Sequence, residues 1–133
     1  MAKAFLDTNV ILYAFTDDRR ADVATSLMAE GFDLSVQGLN EFANVARRKF
    51  GFDWPQIHEA LASIRTLARA IHPLALETHA DAVTLAQRYG FSIYDALIVA
   101  AALRARCEVL YSEDMQDGLV VADRLRIANP FKV

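Results

Sequence analysis

Four carboxylates stand at points of the chain where chemistry is usually placed. Asp7 follows the short apolar run Ala4-Phe5-Leu6. Asp114 follows a second such run, Val109-Leu110-Tyr111, within the acid-rich stretch Ser112-Glu113-Asp114-Met115-Gln116-Asp117-Gly118. Glu41 and Asp95 each stand near the start of a segment with helical apolar spacing. Strand ends and helix first turns share one edge of a parallel sheet, the edge at which open α/β sheets bind ligands. Two ionised carboxylates roughly 5 Å apart, at an effective dielectric of about 20, repel by about 3 kcal/mol. A cluster of them must therefore take up protons or hold cations. Oxygen ligands without Cys or clustered His favour Mg²⁺ or Mn²⁺ over Zn²⁺. The reaction class that suits such a site is phosphodiester hydrolysis, with an activated water as nucleophile and a stabilised leaving oxygen.

Each acid also has a structural reading. Asp7 and the acids around Asp114 suit turns. Glu41 suits the positive end of a helix. Asp95, three residues after Ser92, sits in a capping-box position. Spacing alone leaves open whether the four meet.

The elements that must position them are legible in outline. Ala4–Leu6 reads as a buried strand, with Thr8 or Asn9 capping the helix that carries Val10, Leu12, Tyr13 and Phe15. A polar loop at 16–20 leads to a helix over 21–30, with Val23, Ala24, Leu27 and Met28 on one face and Gly31 at its end. Residues 32–36 read as a second strand, 37–40 as a turn, and Glu41 onward as a third helix ending in Arg47-Arg48-Lys49. Asp53-Trp54-Pro55 opens a fourth helix, with Ile57, Leu61, Ile64 and Leu67 at helical spacing. Residues 71–74 read as a short extended link and 77–89 as a helix closed by Gly90. Beyond Ser92 the helix is apolar nearly all round, so it should be buried. Residues 108–111 form the next strand, 119–125 are ambiguous between strand and helix, and 127–131 read as a final edge strand stopped by Pro130. Strands alternating with helices imply an α/β fold with a mainly parallel sheet and right-handed crossovers.

Composition bounds the rest. The 133 residues fit one domain, 1–133, and 54% apolar content rules against disorder. No apolar run approaches the roughly 18 residues of a membrane span, and Asp7 interrupts the first apolar segment at once. A cytoplasmic protein with no membrane partner is expected. The single Cys107 excludes an internal disulfide and a Cys-based zinc site, and suits burial. His58, His72 and His79 lack ligand spacing and read as surface or packing residues. The net charge of −3 gives no general electrostatic reason for nucleic-acid binding. Arg19-Arg20 and Arg47-Arg48-Lys49 are compact basic pieces suited either to phosphate contact or to a solvated helix face. No Gly-rich phosphate loop occurs, which disfavours a generic phosphate-binding domain.

Four stretches in this order, Phe5-Leu6-Asp7-Thr8-Asn9-Val10, Asn40-Glu41-Phe42, Tyr94-Asp95-Ala96-Leu97-Ile98 and Tyr111 to Gly118, resemble the PIN-domain nucleases. The likeness is strongest to the VapC-type ribonuclease toxins of toxin–antitoxin pairs. The resemblance implies a three-layer α/β/α sandwich. It implies Asp7, Glu41 and Asp95 as the core metal ligands, Asp114 as the fourth acid, and Asp117 as a weaker ligand acting through water. Asn9 and Ser112 match polar residues that hold the acidic pocket together. The implied activity is a Mg²⁺- or Mn²⁺-dependent endoribonuclease, neutralised by a small antitoxin whose tail approaches the pocket, and dimeric. A PIN nuclease of RNA or DNA processing outside any toxin system is a second reading. A catalytically silent PIN fold that binds RNA is a third, which retention of all four acids disfavours.

Overall fold

The computed structural model describes residues 2–132. Twelve elements follow one another: β1 (Ala4–Leu6), α1 (Thr8–Tyr13), α2 (Ala21–Ala29), β2 (Asp33–Ser35), α3 (Val36–Lys49), α4 (Trp54–Leu67), β3 (Ala70–His72), α5 (Leu76–Tyr89), α6 (Ile93–Arg104), β4 (Val109–Tyr111), β5 (Val120–Val121) and β6 (Leu125–Ala128). One sheet joins all six strands in the order β3-β2-β1-β4-β6-β5. Every pairing is parallel except β5 with β6.

The strand order reverses at β1, whose neighbours β2 and β4 belong to different halves of the chain. That makes the carboxyl end of β1 the topological switch point, where a crevice opens between diverging connections. Asp7 is the residue that leaves it.

Alternation along the strands divides the core into layers. Leu6 and Leu34 pack with Val10, Met28, Phe42, Ile57 and Ile64, from the helices α1 to α4. Phe5, Leu110 and Ile127 pack on the other side with Ile98, Val99 and Ala102 of α6. Side chains such as Phe5 and Leu6 are fully buried, each contributing about 1.5–3 kcal/mol. The expected sandwich is therefore present. The apolar helix α6 lies buried as anticipated, from Ala96 through Ala102. Among the described residues no helix is long and apolar enough to cross a membrane.

Several local expectations change. The cap of α1 is Asp7 itself, in extended backbone, accepting from Thr8 N–H. The helix α3 begins at Val36, because Ser35 Oγ accepts Gly38 N–H and so starts the helix within the presumed turn. Glu41 thus lies in the second turn, beyond the positive helix end. Val23 and Leu67 are exposed, since the narrow buried stripes of α2 and α4 run through Ala24–Met28 and Ile57–Ala60–Ile64. The link at 71–74 contains an edge strand, β3, in parallel register with β2. The last strand begins at Leu125 and is internal; β5 is the edge. The turn between β5 and β6 has Ala122 and Asp123 at φ 52° and 60°. Such turns favour Asn-Gly, so Ala-Asp carried no hairpin signal.

Asp33 is fully buried in β2, a central strand of the sheet. Arg69 Nε donates to it at 2.9 Å, His72 Nε2 lies 2.8 Å away and Lys3 Nζ 3.7 Å. These partners hold its carboxyl below the usual range against the opposing effect of burial. His72 is thus a packing residue with one specific partner.

Candidate active site

Asp7 is buried, and both its oxygens are engaged. Thr8 N–H donates to Oδ1 at 2.7 Å and Ser112 Oγ–H donates to Oδ2 at 2.8 Å. Ser112 in turn accepts Met115 N–H at 3.3 Å, which fixes its hydroxyl. The serine comes from the end of β4 and the aspartate from the end of β1, so the register of two central strands sets this contact.

Glu41 reaches the same place from α3. Thr8 Oγ1 lies 3.1 Å from Glu41 Oε2 and 3.3 Å from the Gly38 carbonyl, and Gln37 Nε2 donates to Oε1 at 3.2 Å. Asp114 is held by Asn9, whose Nδ2 donates to Oδ2 at 3.0 Å while its Oδ1 accepts Glu113 N–H at 3.4 Å. Asp95 stands in the first turn of α6, where Ser92 Oγ accepts its N–H. Only that half of a capping box forms, so capping does not account for the carboxylate.

Asp7, Asn9, Glu41, Asp95 and Asp114 all line one cleft of about 330 Å³. Burial pushes the Asp7 carboxyl up to about 7; the Ser112 and Thr8 bonds oppose the rise, and the charges of Asp95 and Glu41 add to it. Asp95 is also raised, by burial first and then by Glu41 and Asp114. Four acids thus converge from β1, α3, α6 and the segment after β4.

Asp117 does not join them. Its Oδ1 accepts Asn129 N–H at 2.8 Å and its Oδ2 lies 3.5 Å from Lys132 Nζ, so the carboxylate serves the turn after β6. Ser112 sits behind Asp7 rather than in the cleft wall.

Other residues of the site carried weaker signals or none. Thr8 joins α1 to α3 through Glu41. Asn44, Lys49 and Phe50 line the cleft from the end of α3. Glu113 lines it too, but is bound by Arg20 at 2.7 Å and by Tyr13. Arg20 also pairs with Asp18 and covers the Tyr13 ring at 4.0 Å, so it is not available for phosphate. Those partners lie about 90 residues apart in sequence and leave no local pattern.

The donor set fits a hard divalent cation. All four donors are carboxylates, and Asp7 and Asp95 have raised pKa values that a cation would reverse. Among the described residues no three acid, His or Cys side chains form a ready cage. Mg²⁺ sites seldom need one, since the ion keeps several waters and takes one or two carboxylates plus substrate phosphate.

Comparison with known proteins agrees with this architecture. Several solved structures share the fold. VapC20 of Mycobacterium tuberculosis, a sarcin-ricin loop cleaving toxin, is 21% identical over 84% of this chain and 90% of its own, at TM-score 0.70. A toxin–antitoxin complex of Klebsiella pneumoniae is 19% identical over 98% and 100%, at 0.75. VapBC2 of Rickettsia felis, bound to a DNA fragment from its promoter, is 18% identical over 95% and 97%, at 0.68. No curated protein is matched. The PIN domain family matches residues 4–117, a span that holds all four converging acids. By that match and by its sheet, the chain belongs to the PIN domain family.

Proposed function

We propose that this chain is a metal-dependent endoribonuclease, the toxin of a toxin–antitoxin pair, working in the cytoplasm as one domain over residues 1–133. The observation that carries the reading is the convergence of Asp7, Glu41, Asp95 and Asp114 in one cleft of a PIN-family chain. These four would hold the cation, Mg²⁺ or Mn²⁺. When bound, the cation would polarise a phosphoryl oxygen and lower the pKa of a water it holds. The protein's own part is positional. Ser112 and Thr8 N–H hold Asp7, Thr8 and Gln37 hold Glu41, and Asn9 holds Asp114. Those contacts fix the donors before any ligand arrives, which lowers the reorganisation needed at reaction.

Support for the toxin reading comes from the neighbours. One is a toxin that cleaves the sarcin-ricin loop, and two were solved as toxin–antitoxin assemblies. A small antitoxin partner is proposed on that likeness, and a homodimer on membership of the PIN family.

The test is cleavage of a mixed RNA pool by antitoxin-free protein with Mg²⁺, with Mn²⁺ and with EDTA, beside Asp7→Asn. Cutting that needs metal and is lost in the variant supports the reading. Intact RNA under every condition, with metal bound, would favour a silent RNA-binding module instead.

A further inference from the structure

The cleft has a rim unlike its floor. Its floor is acidic, yet α3 ends there in Arg47-Arg48-Lys49-Phe50, and both Lys49 and Phe50 line the cleft. Phe50 is 43% exposed and Trp54, at the start of α4, is 56% exposed. Aromatic side chains are enriched at contact surfaces, where a ring offers a broad apolar face. Trp54 is also held in place. Asp53 caps α4 with a complete capping box, and Pro55 follows within the first turn. The Arg47 guanidinium lies 4.6 Å over the indole and is anchored by donating to Phe52 O. The pair is a preorganised plane with a cation on one side.

The cleft continues along α3 into a second depression, which shares Glu41 and Asn44 and ends at Tyr94, 62% exposed. From Gln37 to Phe50 this path spans about 20 Å at the helical rise. Aromatic groups therefore stand at both ends of a groove with acids between them.

We infer that Arg48, Lys49, Phe50 and Trp54 form a platform on which single-stranded RNA lies, its bases stacked on the rings and its phosphates met by the cations. The inference rests on the nuclease reading and names how that site takes its substrate. The charge is complementary: in a chain of net charge −3, a run of three cations ends α3, and its Lys49 lines a cleft whose floor would otherwise repel a polyanion. Aromatic planes interleaved with cations suit unpaired nucleotides, since every base has a stacking face.

Trp54 is the only tryptophan, so its fluorescence reports stacking directly. The experiment titrates Asp7→Asn protein, in which cutting is suppressed, with a short mixed-sequence single-stranded RNA and with the same sequence as a blunt duplex. Labelled-RNA anisotropy runs in parallel, and thermal melts confirm folding of each variant. Quenching by the single strand but not the duplex is expected. Trp54→Ala should weaken single-strand binding about 5- to 150-fold, the range for one lost base stack. Trp54→Phe should restore most of it. Binding that persists unchanged in Trp54→Ala and in Phe50→Ala overturns the platform, while metal-dependent cutting by the parent protein leaves the nuclease reading intact. Quenching with tight binding but no cutting by the parent would keep the platform and remove the nuclease. Equal quenching by the duplex, or variants that weaken only an antitoxin protein and not RNA, would overturn the assignment to single-stranded RNA.

Discussion

Asp7 is predicted to destabilise the metal-free protein on which its function depends. Its carboxyl rises from 3.8 to about 7, mainly through burial. A folded pKa above the unfolded one means the folded state binds the extra proton. The associated stability is complete below about pH 4 and is lost as pH rises through about 7. Replacing Asp7 by Asn removes that dependence while keeping size and most hydrogen bonds. The Asn oxygen still accepts Thr8 N–H, and the Ser112 hydroxyl can turn to accept from the amide. Between pH 5 and the upper pKa lie roughly two units, each about 1.4 kcal/mol. The stability difference between Asp7→Asn and the parent should therefore shift by about 2–3 kcal/mol in favour of the variant from pH 5 to pH 8. Urea denaturation in EDTA at both pH values measures it directly. For a chain of this length that corresponds to roughly 10 °C in melting temperature. Saturating Mg²⁺ at pH 8 should raise the parent and leave the variant unmoved. Cleavage by the variant should fall at least about 100-fold. An equal loss of stability at both pH values, with full activity per folded molecule, would show Asp7 to be a helix cap and nothing more.

Four further outcomes follow from the same contacts. Asp33→Asn should cost roughly 2–3 kcal/mol in chemical denaturation, below the usual range for a broken buried pair because Arg69 and Lys3 reach water. The Asp33 carboxyl lies below its usual range, so its stabilisation is present above about pH 4 and should vanish as pH falls through the lowered value. Asn9→Ala frees Asp114 and should lower kcat about tenfold or more with little change in melting temperature, as read by paired kinetics and melts. Asp117→Asn should leave cleavage within about twofold of the parent in the same assay, because its carboxylate serves the Asn129 turn. Burial pushes the Cys107 thiol up to about 11, so a thiol reagent at pH 8 should label the native protein very slowly and the urea-unfolded protein at once.

Much of the acid constellation was legible because each acid follows a local rule. An apolar run cut off by Asp marks a strand end, and a capping serine before an apolar helix marks a helix start. Those rules located Asp7, Asp95 and Asp114, and the alternation of elements supplied the parallel sheet. Glu41 was found at the right place for the wrong reason. The chain's choice of Ser35 as cap moved it a turn deeper, away from the dipole and onto Thr8.

What the chain's order of residues determined by itself is the set of segments and their caps, since these depend on neighbours within about four positions. The tertiary structure alone decided which polar groups share a space. Parallel register set Ser112 behind Asp7 and left Asp117 turned to Asn129, although both belong to one acidic stretch. It buried Asp33 beside Lys3, Arg69 and His72, contributed by two separate segments, and it brought the basic end of α3 to an acidic cleft. Such pairings join residues tens of positions apart. Their energies come from solvent exclusion and charge, which act through space and leave no period in the sequence.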